Sequence, residues 1–265
     1  MFDLQSYGLA LPVMLAIALV AWGVSVTKRD VSIVDSVWAI FFLAGAVVYA
    51  GNVPSAGPRT TVIIALVALW TLRLSGYITW RGWGEPEDHR YQAIRKRNEP
   101  NFALKSLYLI FALQAVLAWI ISLPLLAAIG SPAPLNPLDY AGVALWLFGF
   151  LFETVGDFQL ARFKANPKNR GKVMDKGLWR YTRHPNYFGE FCLWWGFYFI
   201  ATAAGGWWSI VSPLLVSLLL LRVSGVTMLE RDIGKRRPKY RDYIARTPTF
   251  FPGPAKRVRT AQGTR

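Results

Sequence analysis

Seven apolar stretches, each near the roughly 20 residues a helix needs to cross the hydrocarbon core of a bilayer, constrain this chain more than any other feature. They run from Gly8 to Val26, Val31 to Gly51, Thr60 to Trp80, Ser106 to Gly130, Leu138 to Leu160, Asn186 to Ala204 and Trp207 to Met228. In lipid every backbone amide needs a partner inside its own segment, so such stretches fold as helices. The predicted fold is all-α, a polytopic membrane bundle of seven transmembrane helices. Gly51-Asn52-Val53-Pro54, Ser131-Pro132-Ala133-Pro134 and Gly205-Gly206 carry turn chemistry and close helical hairpins. The first stretch has neither a basic leader nor a small-residue cleavage site behind it, and reads as a retained span.

Charge predicts the orientation. The chain carries 30 lysines and arginines against 15 acidic residues, a net charge of +15. Because these bases alternate with apolar runs, they point to anionic lipid head groups, not to nucleic acid. Lys28 and Arg29, then Arg81 to Lys105, then Arg162 to Arg183, then the run from Arg231 all fall on one side, with Arg59 alone on the other. Basic flanks resist translocation, so the amino terminus is predicted outside and the carboxyl terminus in the cytoplasm. Either a bacterial inner membrane or an endoplasmic reticulum membrane satisfies this. Residues 1–254 read as one domain and 255–265 as a basic disordered tail.

Ionisable groups at membrane depth are costly and point to function. Here they are Asp35, Arg73, Glu153, Asp157, Glu190 and Arg222, with the amide of Gln114, nearly all in the cytoplasmic half of the predicted spans. Trp70, Arg73 and Tyr77 share a helix face, Glu153 and Asp157 are one turn apart, and Asn186, Glu190 and Trp194 repeat at the same spacing. Converging on one polar cavity is one reading. Stapling of the bundle, by pairs such as Arg73 with Glu153 or Arg222 with Glu190, is the other. The connection that begins Arg-Gly-Trp-Gly-Glu-Pro-Glu-Asp-His-Arg-Tyr at Arg81 either caps a charged ligand or anchors at the interface through Trp83 and Tyr91.

Several chemistries are excluded. No dinucleotide fingerprint, phosphate-binding loop or Gly-x-Ser-x-Gly is present. One cysteine and two histidines make no convincing zinc or haem site, so no metal is expected. Carboxylates and amides suit ribose hydroxyls, and the cations between Arg162 and Arg183 suit phosphates. A phosphorylated cofactor and a lipid-like substrate follow.

The segment Gly177-Leu178-Trp179-Arg180-Tyr181-Thr182-Arg183-His184-Pro185-Asn186-Tyr187-Phe188-Gly189-Glu190 resembles the carboxyl-terminal domain of membrane steroid 5-alpha-reductases, and more closely their bacterial relatives, the domain-of-unknown-function 1295 family. The likeness extends to Glu153-Thr154-Val155-Gly156-Asp157, to Trp70, Arg73, Tyr77 and the Gly84 to Tyr91 loop, and to Val34-Asp35-Ser36-Val37-Trp38. It implies an NADPH-dependent reductase of a carbon-carbon double bond conjugated to a ketone in a steroid-like or other lipid. By matching positions it implies cofactor binding by Asp157, Asn186 and Glu190, supported by Arg73, Tyr77, Glu153 and Lys164, with Arg183, His184 and Tyr187 in the same motif. Asp35, Trp70 and Arg73 become the catalytic candidates, and Trp38 and Gln114 the substrate-binding ones. One departure stands out: Trp70 occupies the place of a ketone-binding tyrosine, and an indole cannot give a proton as a phenol does. The Arg-His-Pro-x-Tyr pattern also resembles membrane methyltransferases of isoprenylcysteine or phospholipid, which use S-adenosylmethionine. A non-catalytic lipid-binding protein is the third reading.

Overall fold

The computed structural model describes residues 2–54, 56–223, 226, 230 and 240–256. Among these, all regular structure is helical. In chain order the elements are α1 (Leu4–Lys28), α2 (Ile33–Asn52), α3 (Pro58–Gly82), α4 (His89–Asn98), α5 (Phe102–Ile121), α6 (Leu123–Ile129), α7 (Pro137–Ala165), α8 (Pro185–Ala203), α9 (Trp207–Val223) and α10 (Tyr240–Arg246). Five of them, α1, α2, α3, α5 and α7, are long and apolar enough to cross a membrane. The sixth and seventh apolar stretches form α8 and the shorter α9, and most of the seventh beyond Val223 lies outside the described residues. So do Arg231 and, from Arg257 onward, the predicted tail.

The fourth stretch departs from the single helix expected over Ser106 to Gly130. Its helix starts at Phe102, passes through a π-helical turn at Leu107–Ala112, and stops at Ile121. Pro124 has no N–H to continue the ladder, and a second short helix restarts around it.

The chain divides into two compact units, one of residues 1–142 and 197–212, the other of 143–196 and 213–265. In the first, α1 packs on α2 and α2 on α3. Apart from Tyr7, the buried face of α1 is a stripe of small and flexible residues, Ser6, Ala10, Met14, Ala18, Ala21 and Ser25, while Leu9, Val13, Leu19, Val20 and Val24 point outward. That inversion of the water-soluble pattern suits a helix whose surroundings are lipid and whose neighbours must approach closely. A Cβ at Gly45 on α2 would lie 2.5 Å from the Met14 side chain, so the missing side chain permits this contact. Polar side chains bridge the helices: the Thr71 hydroxyl donates to the Ala39 carbonyl at 3.0 Å, and Tyr49 and Ser122 share a 2.6 Å hydrogen bond.

A buried ion pair completes this unit. Arg59, in the first turn of α3, is fully buried and grips Asp139, in the first turn of α7, through two 2.7 Å bonds. Its remaining hydrogens reach Ser131 Oγ and the carbonyls of Ala133, Pro134 and Ala203. Every face of the guanidinium is therefore answered, the condition for burying such a charge.

In the second unit, two glycines bring helices together. A Cβ at Gly149 would meet the Gly189 carbonyl oxygen at 2.5 Å, and one at Gly189 would meet the Glu153 backbone nitrogen at 2.5 Å. The segment from Tyr240 straps the unit: Thr182 Oγ1 donates to the Phe250 carbonyl at 2.7 Å, the Arg183 amide to Pro248 at 3.0 Å, and the Gly253 amide to Tyr181 at 3.0 Å. Tyr243 adds a hydrogen bond to the Trp179 carbonyl.

Candidate functional site

The predicted site residues fall into two groups, one in each unit. Asp35, Trp38, Trp70, Arg73, Tyr77 and Gln114 belong to the first, and Glu153, Asp157, Lys164, Arg183, His184, Asn186, Tyr187 and Glu190 to the second.

In the first group, Asp35 lies in the opening turn of α2 and receives two strong donors. The Tyr91 hydroxyl donates to Oδ1 at 2.5 Å, and Arg90 Nη2 donates to Oδ2 at 2.7 Å. Gln114 Nε2 reaches the Tyr91 oxygen at 3.4 Å. Both Tyr91 and Arg90 sit on α4, whose position is fixed by a clamp on the turn between α1 and α2. Asp88 caps α4 through the Arg90 amide, its own amide donates to Ser32 Oγ at 2.8 Å, and Glu87 accepts from the Val31 amide at 3.0 Å and from Arg95 at 2.7 Å. Arg95 also lies over the Phe102 ring, 4.5 Å from its centroid.

The charge states of this clamp follow from its contacts. Burial alone would raise the Glu87 and Asp88 carboxyls, but hydrogen bonds from Arg95 to Glu87 and from Arg90 to Asp88 hold both below the ordinary carboxylate value. Burial pushes the Tyr91 phenol well up, and the neighbouring Asp35 carboxylate pushes it further, so it stays protonated.

Beside Asp35 runs an aromatic wall. Trp38 and Phe42 follow on the same face of α2 with ring centroids 5.2 Å apart, and Phe42 meets the fully buried Trp70 of α3 at 5.6 Å. One turn on, Arg73 lies over the Tyr77 ring at 5.7 Å, and Arg81 approaches the same ring at 5.4 Å. Asp35 and Gln114 thus meet at the Tyr91 hydroxyl, and Arg73 and Tyr77 form a cation–aromatic pair.

In the second group, Glu153 and Asp157 are buried on one face of α7. The close approach at Gly189 sets Glu153 against the turn that carries Glu190, and Gly156 packs on Pro185 and the Asn186 amide, which sets Asp157 beside the start of α8. Lys164 is exposed in the last turn of α7. Arg183 and His184, both buried, grip one carboxylate: Arg183 Nη1 bonds Glu230 Oε2 at 2.8 Å and His184 Nε2 bonds Oε1 at 2.9 Å. Arg183 also donates to Thr249, and His184 stacks on Tyr187 with centroids 5.6 Å apart. In this arrangement these two side chains tie the Arg-His-Pro-Asn-Tyr turn to the carboxyl-terminal segment.

Arg90, Tyr91 and Glu230 carry contacts that the sequence did not foretell. For Tyr91 a signal existed: it follows Asp88, His89 and Arg90 in the one predicted inner connection rich in both charge signs. Glu230 had none.

Comparison with known proteins adds the family. The family model described as "Protein of unknown function (DUF1295)" matches residues 21–247. The chain belongs to the DUF1295 family. That DUF1295 match takes in both groups of residues and leaves out the strap residues from Pro248 onward. The chain is also similar to a protein of Schizosaccharomyces pombe (strain 972 / ATCC 24843), "Uncharacterized protein C594.04c", with 26% identity over 262 residues, covering 88% of this chain and 76% of that protein. No solved structure matches this DUF1295 chain.

Proposed function

We propose that this DUF1295 protein is a seven-span membrane reductase that uses NADPH to reduce a carbon-carbon double bond conjugated to a ketone in a lipophilic substrate. The observation that carries the reading is the second group: two buried carboxylates, Glu153 and Asp157, are brought by glycine contacts against the helix start that bears Asn186 and Glu190. Carboxylates and an amide so placed fit the hydroxyls and carboxamide of a dinucleotide, and the exposed cations Arg162 and Lys164 at the end of the same helix fit its phosphates. The segment that holds them is the one resembling the steroid reductases.

In this reading α8 and α9 are the sixth and seventh spans, and the basic connections favour a cytoplasmic carboxyl terminus. The pairing of Arg59 with Asp139 neutralises the basic residue of the predicted outer side and supports that orientation. When bound, the cofactor supplies hydride. Asp157, Asn186 and Glu190 of the second unit would orient the dinucleotide.

The test is thermal stability of the detergent-purified protein against NADPH, NADH and S-adenosylmethionine, since a ligand that binds the native state raises its stability with concentration. Saturable stabilisation by NADPH is expected, and Asp157→Ala should abolish it while leaving the unliganded protein folded. Stabilisation by S-adenosylmethionine in its place identifies a methyltransferase. A response to none of them points to a lipid-binding protein and overturns the reading.

A further inference from the structure

The second unit holds a cleft of about 510 Å³ that the residues discussed so far do not occupy. Three stretches of chain line it: Asp175 to Arg180 in the connection between α7 and α8, Arg246 and Thr247 at the end of α10, and Ala255-Lys256. These stretches are tied to one another and to α7. Gly177 turns with a φ of 60°, where glycine is favoured, and a Cβ there would lie 2.5 Å from the side-chain amide of Gln159 on α7, which accepts the Leu178 amide at 3.0 Å. Tyr243 on α10 donates to the Trp179 carbonyl, and the Lys256 amide donates to the Arg246 carbonyl at 2.7 Å. The walls are thus braced by the backbone and need no ligand to form.

Charge in this cleft is one-sided. Its single carboxylate, Asp175, is taken by Arg246. The side chains of Lys176, Arg180 and Lys256 make no hydrogen bond or ion pair among the described residues, so three positive charges stay unanswered around one hollow. They repel one another, and a bound anion offsets that cost. Thr247 supplies a second observation. It is only 5% exposed, its hydroxyl has no partner among the described residues, and the surface it keeps opens onto the cleft it lines. Buried polar groups as a rule have a hydrogen-bond partner, and an anion oxygen would provide one. A basic surface that attracts anionic lipid by charge alone needs neither a cleft nor a buried hydroxyl.

We propose that this cleft is a binding site for a phosphomonoester, separate from any dinucleotide site and independent of the reductase reading. A phosphomonoester carries about two negative charges at neutral pH and three acceptor oxygens, which the three cations and the Thr247 hydroxyl answer. Arg180 can hold two of those oxygens at once through its planar fork. The lining also decides what the phosphate is attached to. Apart from the six polar residues only Gly177 and Ala255 line the cleft, so no ring or apolar face is present for a nucleobase to stack on. A small polar body fits: the headgroup of a phosphomonoester lipid, or a soluble ester such as glycerol phosphate. Tyr181, next to Arg180, and Phe251, a few residues before Lys256, stay exposed, as aromatic side chains do where a protein meets the lipid interface. The lipid headgroup is therefore the source the surroundings favour.

The test uses the full chain in detergent, with dioctanoyl phosphatidic acid as the probe and dioctanoyl phosphatidylglycerol, a phosphodiester on the same tails, as its control. Affinity is read from the rise in thermal stability with ligand concentration. Phosphatidic acid should bind about tenfold or more tightly than phosphatidylglycerol, and Arg180→Gln/Lys256→Gln should remove that preference. The Tm of the unliganded protein should not change, since neither side chain has a partner to lose. If the double variant does not fold, Lys176→Gln, a change at one exposed side chain, should weaken phosphatidic acid binding in the same direction. Inorganic phosphate and glycerol phosphate separate the sources: stabilisation weaker than that by the lipid assigns the group to a lipid headgroup, and stabilisation equal to it assigns a soluble ester, both upholding the cleft. Equal binding of the two lipids, or a folded variant that keeps the preference, overturns the proposal. Displacement of phosphatidic acid by NADPH makes the cleft part of a cofactor site and overturns it as a separate one.

Discussion

Replacing Arg59 by methionine isolates the buried ion pair. The substitution keeps much of the side-chain volume but leaves Asp139, itself nearly inaccessible, without its cation, and strips donors from the carbonyls of Ala133, Pro134 and Ala203. Removing one partner of a buried pair costs about 3–5 kcal/mol, because the other charge stays uncompensated. Some relief is built in, since Asp139 keeps the Asn136 amide at 2.8 Å and sits in the first turn of α7, where the helix dipole favours an anion. The orphaned carbonyls act the other way, at about 1 kcal/mol each. A net loss of about 4 kcal/mol is expected, and for a chain of this size that corresponds to a fall in Tm of about 8–16 °C. Thermal unfolding in detergent, followed by circular dichroism, reads it directly. The double variant Arg59→Met/Asp139→Leu should recover much of the loss, since an apolar pair of similar volume carries no desolvation cost. A fall of less than about 2 °C in the single variant, or a double variant no better than the single, would refute the claim that this pair holds the first unit together.

Other consequences can be checked alongside. Gly189→Ala places a methyl against the Glu153 backbone and should cost about 1–3 kcal/mol as well as NADPH-dependent stabilisation, whereas Gly23→Ala, in a helix with open space around it, should be neutral or add up to about 1 kcal/mol. The Glu87 and Asp88 carboxyls titrate lower in the folded protein than in the unfolded chain, so their clamp adds stability at neutral pH and loses it as pH falls through and below about 4. Hydrogen exchange of the α4 amides should accelerate over that window, and Arg95→Ala should produce the same acceleration at neutral pH.

How much of this was legible in the sequence varies with the range of the interaction. Long apolar stretches declare themselves because a bilayer fixes their length, and α1, α2, α3 and α7 lie where those stretches do. The π-turn at Leu107–Ala112 does not, since Leu-Tyr-Leu-Ile-Phe-Ala reads equally well as an ordinary helical turn. Asp35 was legible as an ionisable group at the start of a span, but its partner Tyr91 is 56 residues away and comes from a connection whose path no periodicity dictates. The grip of Arg183 and His184 on Glu230 spans 47 and 46 residues and was equally invisible. Local pattern places residues on a helix; it does not say which distant carboxylate the fold will deliver.

The Arg59 contacts also set an order for biosynthesis. The helix carrying this cation emerges 80 residues ahead of the carboxylate that neutralises it, and 144 ahead of the Ala203 carbonyl that closes its coordination. At about 5–20 residues per second, the guanidinium waits roughly 4–16 s for Asp139. During that interval α3 holds an unpaired charge at its leading end. Its neighbours α1 and α2 can settle early, but the final seating of α3 must await α7 and then α8, so the first unit closes only after much of the second has been synthesised.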